Sequence, residues 1–110
     1  MIRLLIAALA AAIANPAAAS GWTFCIGASL DAREAWLSDV FATSATRERL
    51  DGELVALLHE QGVRRVNAQC PAPSADKIDA LNAQTSAEAF NKKLGVTLHA
   101  LPPQDFPLRR

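Results

Sequence analysis

The sequence predicts an α/β chain of the α+β type, a two-layer sandwich in which two helices cover one face of a four-stranded mixed sheet. Short stretches of alternating apolar and polar residues indicate strands, and two longer stretches with helical periodicity indicate helices. Their order is strand, strand, helix, strand, helix, strand (ββαβαβ). Right-handed crossovers between successive parallel strands would then place both helices on the same face.

A secretory signal is expected over residues 1–19, ahead of the fold. Arg3 gives a positive start, Leu4 to Ala14 form an apolar segment, and Ala17 and Ala19 are the small residues that signal peptidase reads. The apolar segment is shorter than the roughly 20 residues that span a bilayer. We therefore expect a periplasmic or secreted product with no stable membrane anchor after cleavage.

The single small domain is expected over residues 20–101, and it begins with two strands. Residues 23–29 alternate apolar and polar side chains, and residues 35–41 combine aromatic and β-branched side chains. The polar stretch between them is typical of a turn, so the two strands are predicted to form an antiparallel hairpin.

The first helix is predicted from four leucines at helical spacing. Hydroxyl side chains over residues 43–46 can cap its start, and Gly62 ends it. The leucines are Leu50, Leu54, Leu57 and Leu58.

A third strand follows over residues 63–70. Its apolar side chains alternate with a polar row formed by Arg65, Asn67 and Gln69. This division predicts a sheet with one half-solvated face.

The second helical region runs from Ser74, a candidate N-cap, to Leu94, and Gly95 closes it. Its apolar pattern does not fit one straight helix, and a capping-box pattern at Thr85 leaves a bend or a second start open. Residues 96–101 form the last predicted strand. Three prolines make the tail, residues 102–110, irregular.

Cys25 and Cys70 are the only cysteines in the chain. An even pair in an oxidising compartment predicts a disulfide within one chain. The alternation of side chains places Cys25 on the polar face of its predicted strand, whereas it places Cys70 on the apolar face of its own. A disulfide between them therefore needs a departure from regular alternation. Either Cys70 lies just beyond the end of its strand or one strand contains a bulge.

The sequence contains no signature that supports a catalytic residue, a metal or a cofactor. Ser74 and Lys77 fit the spacing of a serine–lysine pair, but the companion motifs are absent, and an N-cap beside a surface lysine explains them. His59 and His99 have no further ligand at metal-binding spacing. No nucleic-acid partner is expected either, because 11 basic residues are balanced by 11 acidic ones.

We therefore expect a small exported domain with one disulfide, acting as a non-catalytic binding or accessory module for an unknown protein or envelope component. The alternative is a small enzyme with an unrecognised site. The predicted binding face is the sheet face away from the helices, around Trp36, Arg65, Asn67 and Gln69. In the alternative that the sequence leaves open, the proline-rich tail covers that face.

Overall fold

The structure is a computed structural model that describes residues 20–108. The predicted secretory signal, residues 1–19, lies outside the described residues and stays a prediction. Within residues 20–108, neither helix has the length and apolar character that crossing a membrane requires.

The described chain forms six strands and two helices, and the predicted α+β class with a mixed four-stranded sheet is confirmed. The elements are β1 (Gly21–Thr23), β2 (Ile26–Ser29), β3 (Glu34–Ser38), β4 (Phe41–Thr43), α1 (Arg47–Glu60), β5 (Val66–Gln69), α2 (Lys77–Lys93) and β6 (Thr97–Leu101).

The predicted hairpin is present as β2 and β3, but each of its two strands is interrupted. Its outer part, β1 and β4, forms a separate antiparallel pair. The interruption has a local cause, since the Ser38 hydroxyl accepts a hydrogen bond from the Cys25 amide at 2.8 Å while the Ser38 amide bonds to the Cys25 carbonyl at 3.0 Å. A side chain thus replaces one main-chain acceptor, and the ladder breaks there.

The main sheet has the spatial order β5-β2-β3-β6. Strand β2 is antiparallel to both β3 and β5, whereas β3 and β6 are parallel. Consequently β3, β5 and β6 all run in one direction. The connection from β3 to β5 crosses the sheet one way, and the connection from β5 to β6 crosses it the other way.

The helices lie on opposite faces of the sheet, so the predicted placement of both on one face is wrong. Helix α1 packs on the face of Gly27, where an added Cβ would lie 2.6 Å from Leu58. Trp36 pairs with Gly27 and shares this face, so the neighbouring Ala35 points to the other face, where it is 0% exposed. Two right-handed crossovers in opposite directions place α2 over that second face.

The predicted disulfide between Cys25 and Cys70 is confirmed, with Cα atoms 4.2 Å apart. Cys25 lies between β1 and β2, and Cys70 lies one residue past β5. Because neither cysteine lies inside a strand, the alternation of strand side chains does not determine which way they point. Both cysteines are fully buried in a cluster with Leu50, Leu54 and Leu58. The bridge indicates an oxidising, exported location for the protein.

The helix termini follow ordinary capping chemistry, with one difference from prediction. Thr46 caps α1 by accepting a hydrogen bond from the Arg49 amide at 3.2 Å. Helix α2 is continuous, and its N-cap is Asp76 in place of the predicted Ser74, because the Asp76 carboxylate accepts from the Ile78 amide at 2.9 Å. The Ser74 main chain is instead paired with Trp22.

Candidate functional site

The four residues of the predicted binding face do not share one surface. Trp36 lies on the α1 face, where it packs against the core and stacks on His99 at 5.2 Å between ring centroids. Asn67 and Gln69 are exposed on the opposite face, since they pair with Ala28 and Ile26. The register of β2 thus separates the aromatic side chain from the polar row.

Arg65 lies in the turn before β5 and has a positive φ of 52°. Its guanidinium forms an exposed ion pair with Asp31 at 3.5 Å. Phe106 of the tail packs into the core cluster on the α1 side, which is the side of Trp36 and not that of the exposed Asn67 and Gln69.

The serine–lysine spacing also has a structural explanation. The Ser74 hydroxyl accepts a hydrogen bond from the Asp76 amide at 3.1 Å. The Lys77 ammonium lies 4.9 Å from the centre of the Trp22 ring, which is a cation–π contact. Both side chains therefore stabilise the segment that leads into α2.

The two histidines lie on different elements of the fold, His59 on α1 and His99 on β6. His59 is exposed in the last turn of α1, where the helix dipole favours a cation. His99 Nε2 lies 2.6 Å from Glu34 Oε1, and both side chains are partly exposed. Residues 20–108 contain no cluster of three or more histidine, cysteine, aspartate or glutamate side chains that could hold a metal ion.

A groove of about 940 Å³ lies beside β4 and α1. Its walls come mainly from three segments, residues 39–45 around β4, the first turns of α1, and the tail between Pro103 and Leu108, and Ser20 adds to them. The tail is distant in sequence from the other two segments, and the core brings it beside them because Leu50 and Phe106 are both buried in it.

The floor of this groove is apolar. Phe41 and Phe106 pack edge to face with ring centroids 5.8 Å apart, and Leu50 lies beside them. Edge-to-face packing is one of the arrangements that aromatic rings prefer.

The rim of the groove is polar. Asp39, Thr43 and Ser44 border one side, and the ion pair between Arg49 and Glu53 borders the other, with an N–O distance of 3.1 Å. The groove therefore combines an apolar floor with side chains that donate and accept hydrogen bonds.

A second cavity of about 400 Å³ extends the groove along α1. The two cavities share Arg49, Glu53, Phe106 and Leu108. Leu108 is 57% exposed between them. The combined groove is elongated and runs beside the helix, which suits an extended ligand better than a compact one.

Sequence reasoning missed this site. Its only signal in the sequence was Phe106, a large aromatic residue within an otherwise proline-rich, polar tail. An apolar anchor in an irregular tail indicates docking on the domain, but its location depends on tertiary packing.

Comparison of the chain with family models, with curated proteins and with solved structures finds no match.

Proposed function

We propose that the protein is a periplasmic or secreted, non-catalytic binding module that holds a segment of another envelope or secreted protein in the groove beside β4. The groove carries this proposal, because its apolar floor and polar rim reproduce the usual anatomy of an interface that recognises a polypeptide. The disulfide and the signal-like start of the chain support the compartment.

The non-catalytic role is supported by what the candidate catalytic groups do in the fold. Both cysteines are joined in the disulfide, which leaves no thiol for nucleophilic chemistry. Ser74 is held by a local hydrogen bond beside α2, and Lys77 faces Trp22. The groove itself is lined by Asp39, by the ion pair between Arg49 and Glu53, and by hydroxyl and apolar side chains.

A small enzyme remains the second candidate, favoured by the contact of 2.6 Å between His99 and Glu34. A carboxylate that orients an imidazole is a common part of acid–base sites. A hydrolase activity that is lost in His99→Ala while groove binding is kept would favour this candidate.

Site-specific photo-crosslinking in the cell envelope tests the binding role. One variant carries benzoylphenylalanine in place of Leu108, in the groove, and a matched control carries it in place of Ala89, exposed on α2. The control is demanding because the neighbouring Phe90 is itself an exposed apolar side chain. We expect a discrete protein adduct from the groove position only. Adducts from the control position alone, or from neither position, would contradict the proposal.

A further inference from the structure

We propose that the partner segment binds in extended form by adding a strand to the free edge of β4, centred on the main chain of Ala42. This inference rests on the proposed binding function of the groove and specifies how the groove recognises its ligand.

The hydrogen bonds of β1 determine which main-chain groups of β4 are free. The Trp22 amide donates to the Ser74 carbonyl at 2.7 Å, and the Trp22 carbonyl accepts from the Ser74 amide at 2.8 Å. The amide and carbonyl of one strand residue point to the same side, so Trp22 faces Ser74 and away from β4. The ladder between β1 and β4 is therefore made by the residues on either side of Trp22.

The register then orients Ala42. Trp22 is directly opposite Ala42, while Gly21 pairs with Thr43 and Thr23 pairs with Phe41. In an antiparallel pair, hydrogen-bonded and non-hydrogen-bonded positions alternate, so Ala42 occupies the non-hydrogen-bonded position. Its amide and carbonyl point away from β1.

No residue from 20 to 108 forms a hydrogen bond with the Ala42 amide or carbonyl. Ala42 is also exposed, and seven consecutive residues, 39–45, line the groove. A strand that lines a groove with consecutive residues presents its main-chain edge as well as alternate side chains. An unpaired edge of this kind is a template for another strand.

The side chains around this edge specify the occupant. An added strand alternates its side chains, and those on the Phe41 side meet the partly exposed ring of Phe41, against which the buried Phe106 packs. The ligand is accordingly an extended protein segment with an apolar side chain at that position. The cavity along α1 leaves room for the segment to continue past β4.

The decisive variant is Ala42→Pro, which removes the outward-facing N–H and leaves both ladder residues of β4 unchanged. Proline is tolerated on an edge strand where the N–H faces solvent. The matched control is Ala42→Thr, which keeps the N–H and adds a side chain of high strand propensity. The probe is a linear peptide selected from a displayed random library against the exported wild-type protein.

We expect the selected peptide to bind Ala42→Pro about tenfold more weakly than wild type, as for one lost main-chain hydrogen bond with its partner left unpaired. Binding to Ala42→Thr should stay within about twofold of wild type, as for an ordinary surface substitution. Circular dichroism of both variants checks that they fold.

N-methylation of successive peptide amides gives a second measurement on the wild-type protein, so the test does not depend on the folding of Ala42→Pro. Strand addition predicts that N-methylation weakens binding at every other peptide residue, because only alternate amides face β4. Losses without this alternation, equal binding to both variants, or failure to select any groove-binding peptide would overturn the proposal. So would dimerisation of the wild type through β4, measured by light scattering and abolished in Ala42→Pro.

Different results would exclude the binding function of the groove and strand addition to β4. Adducts at Leu108 together with peptide binding that ignores the Ala42 amide would keep the binding function and exclude strand addition.

Discussion

The two helices are similar in length but differ in how they join the core. Helix α1 buries Leu50, Leu54 and Leu58, none of them more than 1% exposed. Helix α2 buries only Ala80 among its side chains, while Ile78 and Phe90 are 63% and 62% exposed. The difference shows that the hydrophobic core is built on one side of the sheet, from α1, the disulfide and the tail.

The cause of the difference lies in the sheet. Gly27 has no side chain, so Leu54 and Leu58 reach the main chain of β2 directly. On the other face, α2 is anchored by smaller contacts, such as the hydrogen bond of 2.6 Å from the Gln84 amide group to the Ser38 carbonyl and that of 3.3 Å from Arg33 to the Leu94 carbonyl. Large-to-small substitutions should therefore have very different effects in the two helices.

Leu54→Ala is expected to have the largest effect, a loss of about 4 kcal/mol in the free energy of unfolding, because it leaves a cavity in a fully buried site. Phe90→Ala removes an even larger side chain from α2 and should change stability by less than about 1 kcal/mol, since that side chain is mostly exposed. Urea unfolding of both variants measures the difference. Equal losses would show that α2 is as much part of the core as α1.

Replacing both cysteines, Cys25→Ala with Cys70→Ala, should cost about 3 to 4 kcal/mol, because the bridge closes a loop with a sequence separation of 45. Denaturant unfolding of the oxidised wild type and the double variant checks this. The loss should appear as a lower midpoint with little change in the helical signal of the native state. A double variant as stable as the wild type would mean that the leucine cluster holds the α1 side without the bridge.

Two glycine substitutions separate packing from helix propensity on the α1 side. Gly27→Ala should destabilise by about 1 to 3 kcal/mol, because its Cβ would lie 2.6 Å from Leu58 and 3.3 Å from Leu54. Gly52→Ala, inside α1 with no atom within 4 Å of the added Cβ, should stabilise by about 0.5 to 1 kcal/mol. Thermal melts of the pair are sufficient. Stabilisation by both substitutions would contradict the close packing of α1 on β2.

Asp51 gives the smallest expected effect, and it depends on pH. Burial raises the pKa of the Asp51 carboxyl above 3.8, opposed by the Cys70 amide hydrogen bond and by Arg47. The folded protein therefore holds this proton more tightly than the unfolded chain, so this group lowers stability as the pH rises from 3.8 through the folded pKa. Asp51→Asn should remove that part of the pH dependence.

The matched control is Asp79→Asn, an exposed aspartate in the first turn of α2. The free energy of unfolding is measured between acidic and neutral pH. That of Asp51→Asn should increase relative to that of the wild type as the pH rises across this window. A gain that instead appears as the pH falls would reverse the assignment.

Local features of the fold were predictable from the sequence. The leucine spacing located α1, the strand patterns over residues 23–29 and 35–41 located the hairpin, and compartment reasoning joined Cys25 to Cys70. Each of these depends on neighbouring residues or on the chemistry of a single residue type.

The faces of the sheet were not predictable in the same way, because they depend on register and on strand order in space. Trp36 lies opposite Gly27 while Gln69 lies opposite Ile26, and this difference of one position puts the two side chains on opposite faces. Strand β5 pairs with β2 at one edge while β6 pairs with β3 at the other, so the second crossover reverses direction. The groove has the same origin, since only the assembled core brings Phe41 and Phe106 together.

The most direct test of the account is the intact mass of the protein recovered from the periplasmic fraction or the medium, measured without reductant and again after reduction. An exported module with an intramolecular bridge predicts a chain that begins at Ser20, is monomeric in mass, and gains the mass of two hydrogens when Cys25 and Cys70 are reduced. A full-length chain recovered from the cytosol with two free thiols, or a bridge that links two chains, would contradict it.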